Sequence, residues 1–219
     1  MTILQGKPDL PSKILKKYLI LSGADGSGKT TISKLLVSYF SRRGPTCVHW
    51  FRGTHLFASV LARLLSRLSA FRGSCNPYYK VCIPDELKAL WLYLELLSVL
   101  PHYFTRLLLK RFCRFVIYDR GVLDFLVWLV VTLDASWVLH SLCGRLLLRL
   151  AAREEPVYLY ADLDVLTERA DITREFVARE LAVYNVLTKY MSACSINTGN
   201  KSLLESLRDA LRCLSGETH

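Results

Sequence analysis

Short apolar runs alternate along the chain with longer stretches in which apolar residues recur at helical spacing. Runs rich in β-branched and aromatic residues predict five strands, at residues 18–21, 46–51, 115–118, 157–161 and 194–197. The longer patterns predict helices at residues 29–41, 55–69, 84–110, 122–152, 174–192 and 201–214, with breaks at 101 and 134–137. Short strands joined by connections long enough for crossover helices are typical of parallel pairing. The pattern therefore predicts an α/β fold, a five-stranded parallel sheet with helices on both faces, in a single domain spanning residues 1–219.

Two long apolar stretches raise the question of a membrane span. The stretch at residues 89–109 contains Glu95 and Arg106, and the stretch at residues 115–133 contains Asp119. Charged side chains are costly in lipid, so both stretches are predicted to be buried in protein instead. The N-terminus lacks the basic head, apolar middle and cleavage site of a signal peptide. We expect no membrane partner and a cytoplasmic location.

The formal net charge is +10, which would suit a nucleic-acid partner. The Lys and Arg residues are spread along the sequence and do not gather into a tail or stripe. A positive field that steers anionic small molecules explains the charge as well. The sequence therefore favours small anionic substrates, and we expect no nucleic-acid partner.

The seven cysteines are scattered, with no C-x-x-C pair and no histidine at zinc spacing. This spacing makes a cysteine-bound metal improbable. We expect most of these cysteines to be small core residues, with the intracellular disulfides of thermophiles as the alternative.

A glycine-rich segment lies between the first predicted strand and the first predicted helix. It comprises Gly23, Ala24, Asp25, Gly26, Ser27, Gly28, Lys29 and Thr30, and is followed by Thr31. Glycines at this spacing let backbone N–H groups turn inward on a phosphate chain, while Lys29 adds a charge at the β- and γ-phosphates and the Thr30 hydroxyl suits Mg²⁺. The segment predicts a nucleoside triphosphate site, with ATP and Mg²⁺ as its ligands.

Charged residues follow two other predicted strands at the edge where ligands bind in open parallel sheets. Asp119 ends the third strand, where it can meet Mg²⁺ opposite Thr30, and Arg120 comes next. Arg52 follows the second strand. Phosphoryl transfer relies on cationic clamping and positioning, so Arg52 and Arg120 are candidates to hold an acceptor phosphate. The alternative is an Asp-Arg ion pair on the surface at a strand end.

These residues resemble the motifs of one enzyme family. Residues 23–31 resemble the G-x-D-G-S-G-K-T-T loop of thymidylate kinases, which are P-loop nucleoside monophosphate kinases. In that family the acid at the position of Asp25 reaches the sugar hydroxyl of the monophosphate, and the arginine at the position of Arg52 lies on the acceptor phosphate. The pair at residues 119–120 matches the family's Asp-Arg at the end of strand three. The family's helix after the lid is matched by Phe176, Arg179 and Tyr184.

The resemblance implies a P-loop NTPase fold with strand order 2-3-1-4-5 and a short lid near residues 169–175. It implies transfer of the ATP γ-phosphate to dTMP to give dTDP. Arg169 and Arg174 flank the lid segment, and a lid arginine would neutralise the phosphoryl group in flight and exclude water. The alternative for either is a solvated arginine on a helix turn. The family is commonly dimeric, and the apolar helices at 55–69 and 122–152 could supply an interface or belong to the core.

The chain departs from the family's pattern on the acceptor side. Residues 53–55 replace a Glu-Pro-Gly-Gly run, Gly121 stands where Tyr or Trp is usual, and Asp124 stands where Ser is usual. The helix at 84–100 lacks the segment whose arginine helps to hold the thymine. Residues 71–79 are expected to form a mobile loop over the substrate.

Two alternatives to dTMP phosphorylation therefore stay open. One is a kinase of the same fold that acts on another nucleotide or on a nucleoside. The other is a nucleotide-regulated nucleic-acid-binding protein, which the acceptor-side arginines make less favourable because a switch protein needs no clamp for an acceptor phosphate.

Overall fold

Parallel strands form the centre of the computed structural model, which describes residues 16–51, 53–191 and 193–215. The described strands are β1 (Tyr18–Ser22), β2 (Thr46–Trp50), β3 (Arg72–Asn76), β4 (Phe115–Asp119), β5 (Val157–Tyr160) and β6 (Cys194–Asn197). All but β3 join one sheet in the order β2-β4-β1-β5-β6, with parallel pairing throughout. Taken in chain order, the five sheet strands stand 2-3-1-4-5, which confirms the expected arrangement.

Helices cover both faces of this sheet. They are α1 (Lys29–Phe40), α2 (Leu56–Leu65), α3 (Asp85–Phe112), α4 (Val122–Leu133), α5 (Trp137–His140), α6 (Leu142–Glu154), α7 (Leu163–Arg169), α8 (Arg174–Leu187) and α9 (Leu203–Ser215). The side chains of β1 alternate between the faces, so Leu19 and Leu21 pack with α1 and α9 while Ile20 packs with Val116 and Tyr118 of β4. The sheet thus separates two cores, as the α/β prediction requires.

The break expected at Pro101 is wrong, because α3 continues through it from Asp85 to Phe112. Proline removes one backbone donor from the helix, which usually kinks or ends it. Ser98 and Val99 before Pro101 and Arg106 after it are all buried, so packing holds the helix together on both sides of the lost hydrogen bond. The break expected at residues 134–137 is present, since Asp134 adopts a left-handed conformation that ends α4.

Every residue of α4 is buried, which accounts for the apolar stretch that follows β4. This part of the helix predicted at residues 122–152 therefore belongs to the core, which is one of the two alternatives that the sequence left open. Among the described residues, no helix combines the length and apolar character that a membrane span needs.

The cysteines are mostly paired, contrary to the expectation of small core residues. Disulfides join Cys47 to Cys113, Cys75 to Cys82 and Cys194 to Cys213, and Cys143 is free. The first fastens β2 to the end of α3, the second closes the loop after β3, and the third fastens β6 to α9. The fold brings the partners of the first and third disulfides together, and a local turn brings Cys75 to Cys82. No spacing pattern in the sequence predicts these pairs.

Basic side chains that are scattered in the sequence gather at the amino-terminal end of the sheet. Lys16, Lys17, Arg43 and Arg114 line a cleft of about 480 Å³ together with Phe115. These basic residues are therefore far apart in the sequence but close together in the structure. At this end of the molecule, the inference from sequence that basic residues do not gather is wrong.

Candidate functional site

The glycine-rich segment runs from the end of β1 to the start of α1. Gly26 has φ of 83°, and a Cβ there would lie 2.4 Å from the Leu166 carbonyl oxygen, so a side chain is excluded. Gly28 precedes α1 with φ of 84°, and no side chain in the described part of the chain caps this helix. The uncapped N-terminus leaves backbone N–H groups directed at the loop, which is the arrangement that binds phosphate.

Lys29 lies over this loop. Its Nζ donates to the carbonyl oxygens of Gly23 and Ala24, each at 2.7 Å, and to Ser27 Oγ at 3.0 Å. Burial, and then the charge of Arg120, lower the pKa of Lys29 to about 8. These acceptors are neutral, whereas a phosphate oxygen is charged and makes a stronger hydrogen bond with an ammonium group. The lysine is therefore placed to hold an anion in the loop.

Thr30 and Asp119 are brought together as the sequence predicts. Thr30 Oγ1 donates to Asp119 Oδ2 at 3.2 Å, across the neighbouring carboxyl ends of β1 and β4. Burial raises the pKa of Asp119, against the opposing charges of Lys29 and Arg120. A hydroxyl and a carboxylate oxygen are ligands that Mg²⁺ accepts when substrate phosphates complete its coordination. The donor set therefore fits the expected metal.

Arg120 faces the loop from the end of β4. Its guanidinium forms an ion pair with Asp25 and lies 3.8 Å from Asp124 Oδ1. The Tyr78 hydroxyl donates to the other oxygen of Asp25. Arg120 has a positive φ of 80°, which is rare for a residue with a side chain and is found where the surroundings enforce it. Asp25, which the resemblance assigns to the acceptor's sugar hydroxyl, thus contacts Arg120, a candidate to hold the acceptor phosphate.

Asp124 joins the loop to two helices, a role that the sequence did not reveal beyond the absence of the usual serine. Its Oδ2 accepts from Ser22 Oγ at 2.6 Å and from the Gly121 N–H at 2.8 Å. Its Oδ1 accepts from the Gly23 N–H at 3.1 Å and from the Tyr184 hydroxyl at 2.7 Å. A buried carboxylate with four donors fixes the start of the loop relative to α4 and α8.

Glu180 on α8 is a second buried acid that sequence reasoning missed. Its Oε2 accepts from the Asp25 N–H at 3.0 Å, and only 2% of the residue is exposed. Burial, followed by the nearby charge of Asp25, raises the pKa of Glu180 to about 7. No local pattern marks this glutamate, since its partner lies 155 positions away.

The two lid arginines are not brought to the loop. Arg169 donates to the Thr198 carbonyl oxygen at 3.3 Å, and the Thr198 hydroxyl in turn donates to Ser27 O at 3.1 Å. Arg174 pairs with the exposed Asp164. Both arginines are exposed at the ends of α7 and α8. Arg52 lies outside the described residues.

A buried polar network follows position 52. Glu95 is fully buried and accepts from the Thr54 N–H and hydroxyl, each at 2.5 Å, and from Trp91 Nε1 at 3.2 Å. Trp128 Nε1 donates to Thr54 Oγ1 at 2.9 Å. A Cβ on Gly53 would lie 1.9 Å from the Trp128 ring. Residues 53 and 54 are thereby fastened to α3 and α4.

The loop expected to be mobile is instead anchored at several points. The disulfide between Cys75 and Cys82 closes it, and Asn76 Nδ2 donates to Thr54 Oγ1 at 3.4 Å. The Tyr78 side chain extends from it to Asp25 across the phosphate loop. This loop therefore joins the network around Thr54 to the phosphate site.

Comparison with known proteins gives a result at the level of fold. No protein-family model matches the chain, and no curated protein matches it in sequence. Thymidylate kinase from Ehrlichia chaffeensis is similar in structure, with a TM-score of 0.54 and 17% identity over 90% of this chain and 97% of that one. Thymidylate kinase from Candida albicans has a TM-score of 0.58 and 12% identity over 91% of each chain.

The sheet order, the phosphate loop and these likenesses define a P-loop kinase fold. Two of the solved structures that it resembles over nine-tenths of its length are thymidylate kinases. The resemblance seen in the sequence is confirmed for the fold.

Proposed function

We propose that this protein is a P-loop kinase that transfers the γ-phosphate of ATP to a nucleoside monophosphate, with dTMP as the favoured acceptor and dTDP as the product. One observation carries the proposal. The phosphate loop with Lys29, the Thr30–Asp119 pair and the Arg120–Asp25 pair all converge at the carboxyl ends of β1 and β4. This convergence supports the proposal of a triphosphate site beside a cation that can hold a second anion.

In the proposed complex, Lys29 and the N–H groups of residues 26 and 28–31 bind the ATP phosphates, and Thr30 and Asp119 hold Mg²⁺. The metal would neutralise charge on the phosphate oxygens. Arg120 exchanges Asp25 for the acceptor phosphate, which leaves the Asp25 carboxylate to accept a sugar hydroxyl. We assign Arg52 to the same phosphate. We assign Arg169 and Arg174 to the lid, where they must leave Thr198 and Asp164 to reach the transferred group.

An acceptor panel tests the proposal. The protein is incubated with ATP, Mg²⁺ and each of the nucleoside monophosphates and nucleosides, and ADP release is followed. Acceleration by dTMP alone supports the proposal as stated. An absence of acceleration by any acceptor would overturn it.

A different acceptor is the second candidate, favoured by the network around Thr54. Trp128 and Glu95 are both hydrogen-bonded to Thr54 in the region after position 52, and residues 84–100 lack the segment whose arginine helps to hold the thymine in the family. The Candida albicans thymidylate kinase is described as having broad substrate specificity. Acceleration of ADP release by a nucleoside, or by a monophosphate other than dTMP, would support this candidate.

We also propose that the protein is a homodimer, because α3 exposes a continuous apolar seam. Large apolar side chains recur along it with alternating spacings of three and four residues, which is the repeat of helices that pack side by side. They are Leu90, Tyr93, Leu97, Leu100, Phe104 and Leu107. Each is more than half exposed in the single chain, well beyond the scattered apolar residues of ordinary monomers. Light scattering coupled to gel filtration should give twice the chain mass of 25.0 kDa. A cytoplasmic location, where ATP is available, is part of the same proposal.

A further inference from the structure

A residue of α3 contacts the turn that carries Arg120. Arg106 Nη2 donates to the Arg120 carbonyl oxygen at 3.0 Å. The Arg106 guanidinium lies 4.3 Å from the centre of the Phe51 ring and 4.6 Å from that of Tyr118, and the residue is almost fully buried. Two ring faces thus fix the direction of a hydrogen bond to Arg120, whose backbone has a positive φ.

Glu154, the last residue of α6, completes this support. Its Oε1 pairs with Arg106 Nη1, and its Oε2 accepts from the Val122 N–H, the first of α4, at 2.7 Å. One carboxylate therefore holds both the guanidinium that contacts the Arg120 carbonyl and the backbone two residues later. The turn from Arg120 to Val122 is fixed on both sides.

Gly121 lies between these two contacts. A Cβ there would be 2.6 Å from Glu154 Oε2 and 2.7 Å from Ile20 Cγ2. Its φ of −133° is open to any residue, so space and not backbone freedom requires glycine. The large aromatic residue that is usual in thymidylate kinases would displace the Glu154 carboxylate. The departure at this position and the buried ion pair are therefore parts of one arrangement.

We propose that Arg106 and Glu154 are positioning residues that hold Arg120 in its left-handed conformation with its guanidinium toward the phosphate loop, and that Gly121 is the small residue that admits Glu154. The assignment of Arg120 to an acceptor phosphate rests on the proposed function. The fixing of the turn does not, because it follows from the contacts of Arg106 and Glu154 alone.

Kinetic variants test whether the pair acts through Arg120. Arg106→Met and Glu154→Gln should each lower kcat about 10- to 100-fold, because small displacements of a positioned group are that costly. The KM for ATP should change less than about twofold, since neither side chain touches the loop. Adding Arg120→Ala to either variant should cause no loss beyond that of Arg120→Ala alone. Losses that multiply would overturn the proposal.

Three further variants serve as controls for this experiment. Glu155→Gln alters the neighbouring exposed carboxylate, which pairs with Lys16, and should keep the parental kcat. Gly121→Ala should reproduce the loss seen with Glu154→Gln, and should cost little more when Glu154 is already alanine. Arg106→Lys, which keeps the charge and loses the fork of donors, replaces Arg106→Met if that variant fails to fold by circular dichroism.

Hydrogen exchange gives a readout that does not require activity. The Val122 amide is donated to Glu154, so Glu154→Ala should speed its exchange at least about 10-fold while the amides of β5 keep their rates. Unchanged exchange at Val122 would overturn the proposal. Faster exchange in a protein that no acceptor activates would support the positioning of the turn and refute the proposed function, so the two failures are distinguishable.

Discussion

The phosphate side and the acceptor side of the site are built in different ways. Residues 23–30 are one continuous segment, completed by the end of a neighbouring strand, and its charged groups face a common point. The acceptor side is assembled from Thr54, Asn76, Glu95 and Trp128, which come from four separate segments and are hydrogen-bonded to one another. The phosphate loop can therefore exchange its internal hydrogen bonds for bonds to a ligand, whereas the network around Thr54 holds its own shape.

Burial shifts the pKa values of ionisable groups in both regions. Near the loop it lowers the pKa of Lys29 to about 8 and raises that of Glu180 to about 7. It also raises the pKa of Glu95, which accepts hydrogen bonds from Thr54 and Trp91. We assign Lys29 to the ATP phosphates, whereas Glu95 is enclosed by protein donors, so substitution of Lys29 should change turnover first and substitution of Glu95 should change stability first.

Lys29→Ala should produce the largest effect on activity. Loss of a charge aimed at the transferred phosphate should lower kcat about 10²- to 10³-fold, the cost of removing one preorganised donor to a transition state. The fold should persist by circular dichroism, because the hydrogen bonds of the Lys29 ammonium group within the described residues go to its own loop. Lys34→Ala, an exposed lysine of the same helix, is the matched control and should keep parental turnover. Near-parental turnover of Lys29→Ala would contradict its phosphate role.

Arg52→Ala should raise the acceptor KM about 10- to 100-fold while the ATP KM stays within about twofold, because the proposed contact is with the acceptor phosphate alone. Steady-state kinetics with each substrate varied in turn measures both values. An unchanged acceptor KM would remove Arg52 from the site.

Glu95→Ala should lower the stability of the protein. It leaves the Thr54 and Trp91 donors buried without their acceptor, and each such group costs about 1–3 kcal/mol. We expect the free energy of unfolding to fall by about 2–4 kcal/mol in urea titrations. Glu86→Ala, on the exposed first turn of the same helix, should change it by less than about 0.5 kcal/mol. A loss of turnover at full stability would show that Glu95 serves the reaction.

Glu180→Gln should give the smallest effect, and one that depends on pH. The pKa of Glu180 is about 7 in the folded protein, above its ordinary value of 4.5, so the folded state binds the proton more tightly than the unfolded state. The parent therefore loses stability as pH rises from about 4.5 to about 7, and the full cost is present above 7. Glutamine avoids this cost and can still accept from the Asp25 N–H. The variant should melt higher than the parent at pH 8, by at least about 2–4 °C, with the gap closing toward pH 5. A gap that is equal at both pH values would refute the titration.

The same division explains what the sequence could predict. The sequence predicted the phosphate loop, the Thr30–Asp119 pair and the sheet, because contiguous motifs and strand periodicity are local properties. The sequence did not predict the roles of Glu180 and Glu95, because their hydrogen-bond partners lie 155 and 41 positions away and only the fold brings them together. The Cys47–Cys113 disulfide was missed for the same reason, whereas Cys75 and Cys82 are only seven residues apart and were missed because no known spacing pattern marks them. The continuity of α3 through Pro101 depends on packing that periodicity does not record. Arg169 and Arg174 were matched by position to a lid, yet their side chains contact Thr198 and Asp164.

Cys143 has a practical consequence, since the other six cysteines are consumed in pairs. It lies half-buried near the start of α6, the helix whose last residue is Glu154. In the oxidised protein a maleimide dye would therefore attach at one chosen point without any engineering. Such a fluorophore would report on the helix that ends beside the turn carrying Arg120, and a rise in dye stoichiometry would count the disulfides that a reductant opens.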